Sequence, residues 1–306
     1  MLAIVFLLVL LGASACSEDA PAPSPVSRDS ILVIDDAGHT VRLSAPARRV
    51  VSLIPARTDA ILALGGADRL IARTQYDTDA RIAALASVGN ALTPSVEWLA
   101  SQRPDLVIAW PDRQSRTVVA TLFELGIPVY ASRVETLEDT RRAIAHLGIL
   151  LGLEQRADSL LAAIEREHAA VRAVVGERPP PAVLYLIGID PVMAAGPGTF
   201  VHELIEIAGG RNIFEDAGAQ WPQVSLEEVV RRDPDIIVIA SEEAARGGFA
   251  ERLAGRPGWR DVDAVRNGRV HALNASFFNR PGPAVGPAAT MLARLLHPDA
   301  FQESGR

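Results

Sequence analysis

The chain has 306 residues but only one cysteine, Cys16. A single cysteine excludes an internal disulfide and any cysteine-rich zinc or iron–sulfur site. A membrane-length apolar run is also missing. Residues 2–11, LAIVFLLVLL, are uninterrupted but too short, since a bilayer needs about 20 apolar residues. There is no cationic excess either. The 30 Lys and Arg are outnumbered by 37 Asp and Glu, for a net charge of -7 and a pI near 5.4. That argues against a nucleic-acid partner, which rewards clustered positive charge, and suits a soluble protein with a basic partner. The sequence has no G-x-S-x-G elbow, H-E-x-x-H pair, Walker loop or G-x-G-x-x-G turn. Its six histidines, at 39, 146, 168, 202, 271 and 297, never fall at i, i+4. No metal site is therefore expected. Nothing pairs a nucleophile with a base, so no catalytic residue is assigned and an enzyme is not expected.

What is present is an ordinary globular composition, 49% hydrophobic and 22% charged, long enough for two cores. Pro (21) and Gly (23) are frequent without collagen-like or linker-like bias. The apolar run at 2–11 fits the core of a signal peptide, with small residues Gly12, Ala13, Ser14 and Ala15 before a cut. The small-small-Cys ending resembles the bacterial lipoprotein signal, which makes Cys16 the lipidated first residue of an exported protein. Position 13 is Ala where Leu is commoner in such signals, and no Lys or Arg precedes the apolar run. Residues 17–30, SEDAPAPSPVSRDS, are polar and Pro/Ser-rich and read as a flexible spacer.

The chain then repeats itself. SVEWLASQRPDLVIA (95–109) aligns without a gap on SLEEVVRRDPDIIVI (225–239), at an offset of 130 residues. In each copy a Ser N-cap opens a short helix, Pro-Asp follows it, and an apolar run reads as a buried parallel strand. TDAILALGG (58–66) similarly matches VHELIEIAGG (201–210), an amphipathic helix ending in a Gly-Gly C-cap. Strand candidates precede these helices, RVVSLIP (49–55) and AVLYLIG (182–188). Others follow the Pro-Asp strands, GIPVY (126–130) and GRVHAL (268–273). The expected fold is therefore α/β: two similar Rossmann-like lobes with a ligand cleft between them. Apolar spacing over 154–176 predicts one long joining helix of about 23 residues, roughly 34 Å, ended by Pro179–Pro181. The expected organisation is a signal peptide at 1–15, lipidated Cys16 and spacer at 16–30, and an N-terminal lobe at 31–140. A helical connection at 141–178 and a C-terminal lobe at 179–306 complete it.

Ligand sites in α/β folds form at the carboxyl ends of strands. Six residues fall there: Pro55 at the end of the first strand, Tyr76, Trp110 after LVIA, Trp221, Phe277 and Arg280. The aromatic side chains offer rigid faces for a flat apolar ligand, and Arg280 can donate to amide or phosphate oxygens. Each aromatic alone could equally serve packing; their shared location singles them out. Glu97 and Glu227 occupy equivalent first-turn positions in the two repeats. A carboxylate there complements the helix dipole. A pseudo-twofold pair of carboxylates also suits docking on a twofold-symmetric partner with paired arginines.

Residues 49–72, 95–110, 126–130, 221–239, 264–273 and 280–298 together resemble the helical-backbone periplasmic binding proteins of ABC importers, most of all their vitamin B12-binding branch. The resemblance implies a monomeric receptor without a cofactor that carries a corrinoid such as cobalamin to a permease homodimer and its ATPase. It implies two rigid lobes with little closure. It places corrinoid contacts on Pro55, Tyr76, Trp110, Trp221 and Arg280, and arginine-pairing glutamates on Glu97 and Glu227. It also implies a periplasmic location, with the membrane held through the lipid on Cys16. Haem- and siderophore-binding members share much of the pattern, and haem would call for an axial Tyr or His, with Tyr76 the candidate. Ala284 stands where many members have Arg, Asn90 where close B12 binders have an aromatic, and Phe277 where they often have Trp. An exported enzyme or a sensor subunit is the alternative from another class.

Overall fold

The computed structural model describes residues 30–303 apart from Gln114. Cys16, the leader and nearly all of the spacer lie outside the described residues. A short antiparallel hairpin, β1 (Ile31–Ile34) and β2 (Thr40–Leu43), comes first. The N-terminal lobe follows with β3 (Val50–Ser52), α1 (Pro55–Ala63), β4 (Leu70–Ala72), α2 (Val96–Ser101), β5 (Leu106–Ala109), α3 (Arg116–Glu124) and β6 (Val129–Ala131). Its sheet is wholly parallel, in the order β4-β3-β5-β6. β5 and β6 are buried along their whole length, as their unbroken apolar sequences require.

Two helices link the lobes, α4 (Leu137–Leu151) and α5 (Glu154–Val175). Thr136 and Asp139 form a reciprocal capping box at the start of α4, and Gly152, with φ of 64°, ends it. α5 runs for 22 residues. Its first half sends Ala157, Leu160 and Leu161 into the N-terminal core, and its second half sends Val171 and Val175 into the C-terminal core. Ile164 packs against both. Because one rigid helix belongs to two cores, moving one lobe against the other would expose side chains whose burial contributes about 1.5–3 kcal/mol each.

The C-terminal lobe contains β7 (Ala182–Ile189), β8 (Val192–Ala194), α6 (Phe200–Ile207), β9 (Arg211–Asn212), α7 (Leu226–Arg232) and β10 (Ile236–Ala240). Then come α8 (Glu242–Ala245), α9 (Phe249–Ala254), α10 (Asp263–Arg266), β11 (Val270–Leu273), α11 (Ala275–Phe278), α12 (Val285–Leu296) and α13 (Pro298–Glu303). Its parallel strands run β9-β7-β10-β11, the same order as β4-β3-β5-β6. The repeat seen in sequence is thus a repeat of topology. β8 is an addition: it turns back antiparallel on β7 after Asp190–Pro191 and has no counterpart in the first sheet.

The Gly-Gly pairs close α1 and α6 alike. Gly65 and Gly209 have φ of 74° and 75°. The next N–H, of Gly66 or Gly210, donates at 2.8 Å to Ile61 O or Ile205 O. That six-to-one bond is the Schellman pattern.

One sequence expectation needs correction. Pro55 does not end a strand. β3 stops at Ser52, and Pro55 is the first residue of α1, where its fixed φ is pre-organised and its missing N–H costs no hydrogen bond.

Candidate ligand cleft

Both sheets point the carboxyl ends of their parallel strands toward the junction between the lobes. A cavity of about 290 Å³, open to solvent, lies there. The N-terminal lobe supplies Ile54, Pro55, Ala56, Tyr76, Trp110 and Val134, and the C-terminal lobe supplies Glu242, Ala275, Ser276, Asn279, Arg280 and Pro281. Pro55 and Trp110 follow β3 and β5, the strands at which the order of the first sheet reverses. Such switch points leave a crevice between diverging connections.

Four of the six predicted ligand residues, Pro55, Tyr76, Trp110 and Arg280, therefore share one cavity. Trp221 and Phe277 are not among its lining residues. Both are half-buried against the C-terminal core. Trp221 lies on an extended segment beside β8, where Pro222 O accepts from Ala194 N–H at 3.0 Å. Phe277 stacks edge-to-face on Phe278, ring centroids 5.2 Å apart. For these two, packing is what the structure displays.

Tyr76 sits on a tight loop. Thr74 N–H donates to Asp77 Oδ2 at 2.7 Å, and Tyr76 N–H donates to Thr74 Oγ1 at 3.1 Å. The loop is locked from beneath, while Tyr76 is 48% exposed and its hydroxyl has no partner among the described residues. Arg280 arrives from the other lobe. Its Nη2 donates to Tyr76 O at 2.6 Å, and its Nη1 lies 3.6 Å from Asp59 Oδ2.

Sequence reading missed Glu242, Ser276 and Asn279. Glu242 Oε1 accepts from Ser276 N–H at 3.0 Å and Ser276 Oγ–H at 2.9 Å, which holds its carboxyl below the usual range. Asn279 accepts from Tyr185 Oη at 3.0 Å and donates to Ala240 O at 3.0 Å, fixing the loop that carries Arg280. A signal did exist: Glu242 follows β10 as Asp112 follows β5, at the same offset of 130.

Glu97 and Glu227 have matching surroundings. Ser95 Oγ accepts from Trp98 N–H and Ser225 Oγ from Glu228 N–H, each at 3.1 Å. Both carboxylates are exposed, and neither is ion-paired among the described residues. Each is held below the ordinary value first by its own backbone N–H and then by its cap serine. Both therefore stay negative well into mild acid.

Among the described residues there is no group of three His, Cys, Asp or Glu placed to hold a metal. Histidines serve the fold instead: His168 Nε2 lies 3.2 Å from Val285 O, and His297 Nε2 lies 3.0 Å from Gly209 O. Among the described residues no helix is long and apolar enough to cross a membrane.

Residues 50–276 match the family model described as periplasmic binding protein. The chain belongs to that family. The vitamin B12-binding protein of Vibrio cholerae serotype O1 is 32% identical over 256 residues, 82% of this chain and 90% of that one. Among solved structures, the periplasmic vitamin B12 binding protein BtuF of Vibrio cholerae superposes with a TM-score of 0.69 at 28% identity, covering 84% of this chain and 99% of that one. The periplasmic heme-binding protein RhuT from Roseiflexus sp. RS-1, in apo form, gives a TM-score of 0.73 at 30% identity, covering 83% and 99%. The periplasmic binding protein described here thus has the two-lobed fold of its relatives, and with them it is a solute-binding protein rather than an enzyme.

Proposed function

We propose that this binding protein captures a corrinoid of the vitamin B12 type and hands it to the permease dimer of an ABC importer. The observation that carries the reading is the 32% identity to a vitamin B12-binding protein over 82% of the chain. The cleft is compatible with it. Trp110 and Tyr76 offer apolar faces, Pro55 and Ile54 a rigid floor, and Ser276, Asn279 and Arg280 a polar edge for amide or phosphate oxygens. The cavity is open, so a ligand larger than the enclosed volume can project beyond it. Glu97 and Glu227, presented identically by the two lobes, would meet paired arginines on the permease. Export with lipidation at Cys16 would keep the receptor near that membrane.

A second reading, haem, rests on a specific observation. The Tyr76 phenol is half exposed in the cavity and free of hydrogen bonds among the described residues, the state a tyrosine needs to serve as an axial ligand. The 30% identical heme-binding RhuT supports the same possibility.

Calorimetry of the purified protein with cyanocobalamin and, in parallel, haemin separates the two. One-to-one cobalamin binding, weakened about ten-fold or more by Trp110→Ala, is the expected result. Tight haemin binding that is lost in Tyr76→Phe, without cobalamin binding, would move the ligand to haem. Binding of neither would overturn both readings.

A further inference from the structure

Arg280 lines the cleft from the C-terminal lobe, yet both of its polar contacts are with the N-terminal lobe. Nη2 donates to Tyr76 O at 2.6 Å, across 204 residues of sequence, and Nη1 faces Asp59 Oδ2 at 3.6 Å. Among the described residues Tyr76 O accepts from nothing else. Asp59 lies on α1 and is not among the residues lining the cavity. Its side chain is 37% exposed and that of Arg280 19%. The pair is thus partly withdrawn from water, where a charge-assisted contact counts for more than at an open surface.

We propose that Asp59 is a positioning residue of the cleft: it aims Arg280 so that this guanidinium clasps the Tyr76 loop to the opposite lobe. The proposal rests on this cleft being the ligand site. With the clasp made, the Tyr76 ring is presented at a fixed distance from the C-terminal wall, and ligand binding is spared the ordering of a loop. Without it, the loop keeps its internal turn at Thr74–Asp77 but loses its tie across the cleft. Asp59 therefore acts on the ligand only through Arg280.

The charges around Asp59 give the clasp a pH dependence. Burial raises the Asp59 carboxyl above its ordinary value; Arg280 opposes that, while Asp77 and Asp79 add to it. Arg81 is a further charged neighbour of Asp59, and Glu242 faces Arg280 from the C-terminal lobe. Asp77 Oδ1 is itself buried with no hydrogen-bond partner among the described residues. A raised carboxyl loses its charge in milder acid than an ordinary one. The clasp is complete at neutral pH and loosens as pH falls through the raised value.

Two measurements test this on the whole protein. Without ligand, hydrogen exchange of the peptide covering residues 73–79 is compared in wild type, Asp59→Asn and Arg280→Ala at one pH. Both variants should exchange faster there by about three-fold or more, with peptides over β5 and β10 unchanged. Wild-type exchange in 73–79 for both variants would overturn the clasp, and wild-type exchange in Asp59→Asn alone would overturn the role of Asp59. With cyanocobalamin, Asp59→Asn should bind about three- to five-fold more weakly at pH 7.5, the scale of a partly exposed ion pair. It should also lose the affinity drop that wild type shows toward pH 5. An unchanged affinity and pH profile would overturn the proposal. If wild type binds no cobalamin, the ligand reading fails, and the exchange experiment still decides the clasp.

Discussion

Nη1 of Arg57 donates to the carbonyl oxygen of Pro281 at 2.8 Å, joining residues 224 positions apart and two lobes. Arg57 is completely buried. Its Nε donates to Ser132 Oγ at 2.9 Å, and its Nη2 donates to Arg133 O. Thr140 Oγ1 donates to the same Pro281 oxygen at 3.1 Å. Next along, Gly282 presses on α1: a Cβ there would lie 2.9 Å from Ala56 O. The segment Arg280–Gly282 is thus riveted to the N-terminal lobe beneath the cleft.

Replacing Arg57 tests that rivet. Arg57→Ala removes the donors to Ser132 Oγ, Arg133 O and Pro281 O and opens a cavity, so urea unfolding should show a loss of about 2–4 kcal/mol. Arg57→Lys should recover only part of it, because one ammonium cannot span three acceptors in a plane. Burial depresses the guanidinium to about 10. A depressed base destabilises the fold below that value and by a constant amount, so the loss should not vary between pH 6 and pH 9.

The matched glycine caps should respond unequally. A Cβ on Gly209 would lie 2.2 Å from buried Val175 Cγ1, and one on Gly65 would lie 2.4 Å from Nη1 of Arg156. The arginine end can swing away; the core valine cannot. Gly65→Ala should cost about 1–2 kcal/mol, for left-handed backbone and the displaced Arg156 bond to Leu64 O. Gly209→Ala should cost about 3 kcal/mol or more, with overpacking added. Thermal melts of the two variants check the difference, and equal losses would contradict it.

Glu203 offers a pH test at the other inter-lobe contact. It accepts from Leu137 N–H at 2.6 Å, and burial raises its carboxyl above the ordinary 4.5. An acid raised in the folded state destabilises the protein once it is ionised in both states, and that penalty disappears below the unfolded value. Glu203→Gln keeps an acceptor without the charge. Its melting midpoint should exceed wild type by about 1–3 °C at pH 7.5 and match it near pH 4. A lower midpoint at pH 7.5 would mean the charge is stabilising.

Glu97 and Glu227 should matter for delivery and not for capture. The double replacement by Ala should leave ligand affinity within about two-fold, since neither lines the cleft. Stability should change little, because both carboxylates are exposed to solvent that screens their helix-dipole interaction. Uptake into cells or proteoliposomes carrying the permease should fall by about ten-fold or more. Normal uptake would remove the docking role.

Much of the architecture is written in features that act within a few residues. A serine caps a helix three residues on, a Gly-Gly pair ends one, and a short all-apolar run after Pro-Asp reads as a strand covered on both faces. The serine cap and the apolar strand recur at an offset of 130 and the Gly-Gly pair at 144, so the sequence alone determined two lobes of one topology and the long helix between them. Pro55 shows where local reading slips by a turn, since proline both ends strands and begins helices. The make-up of the cleft was decided by tertiary structure. Trp110, Tyr76 and Arg280 converge on one cavity while Trp221 and Phe277 pack against a core, although all five look alike as exposed-end residues in the sequence. The parts played by Arg57 and Asp59 were invisible for the same reason, and that of Glu242 showed only in its offset of 130 from Asp112. A buried guanidinium or an ion pair has meaning only through its partner. For Arg57 and Arg280 those partners lie 224 and 204 residues away, brought near by the packing of two cores on a single helix.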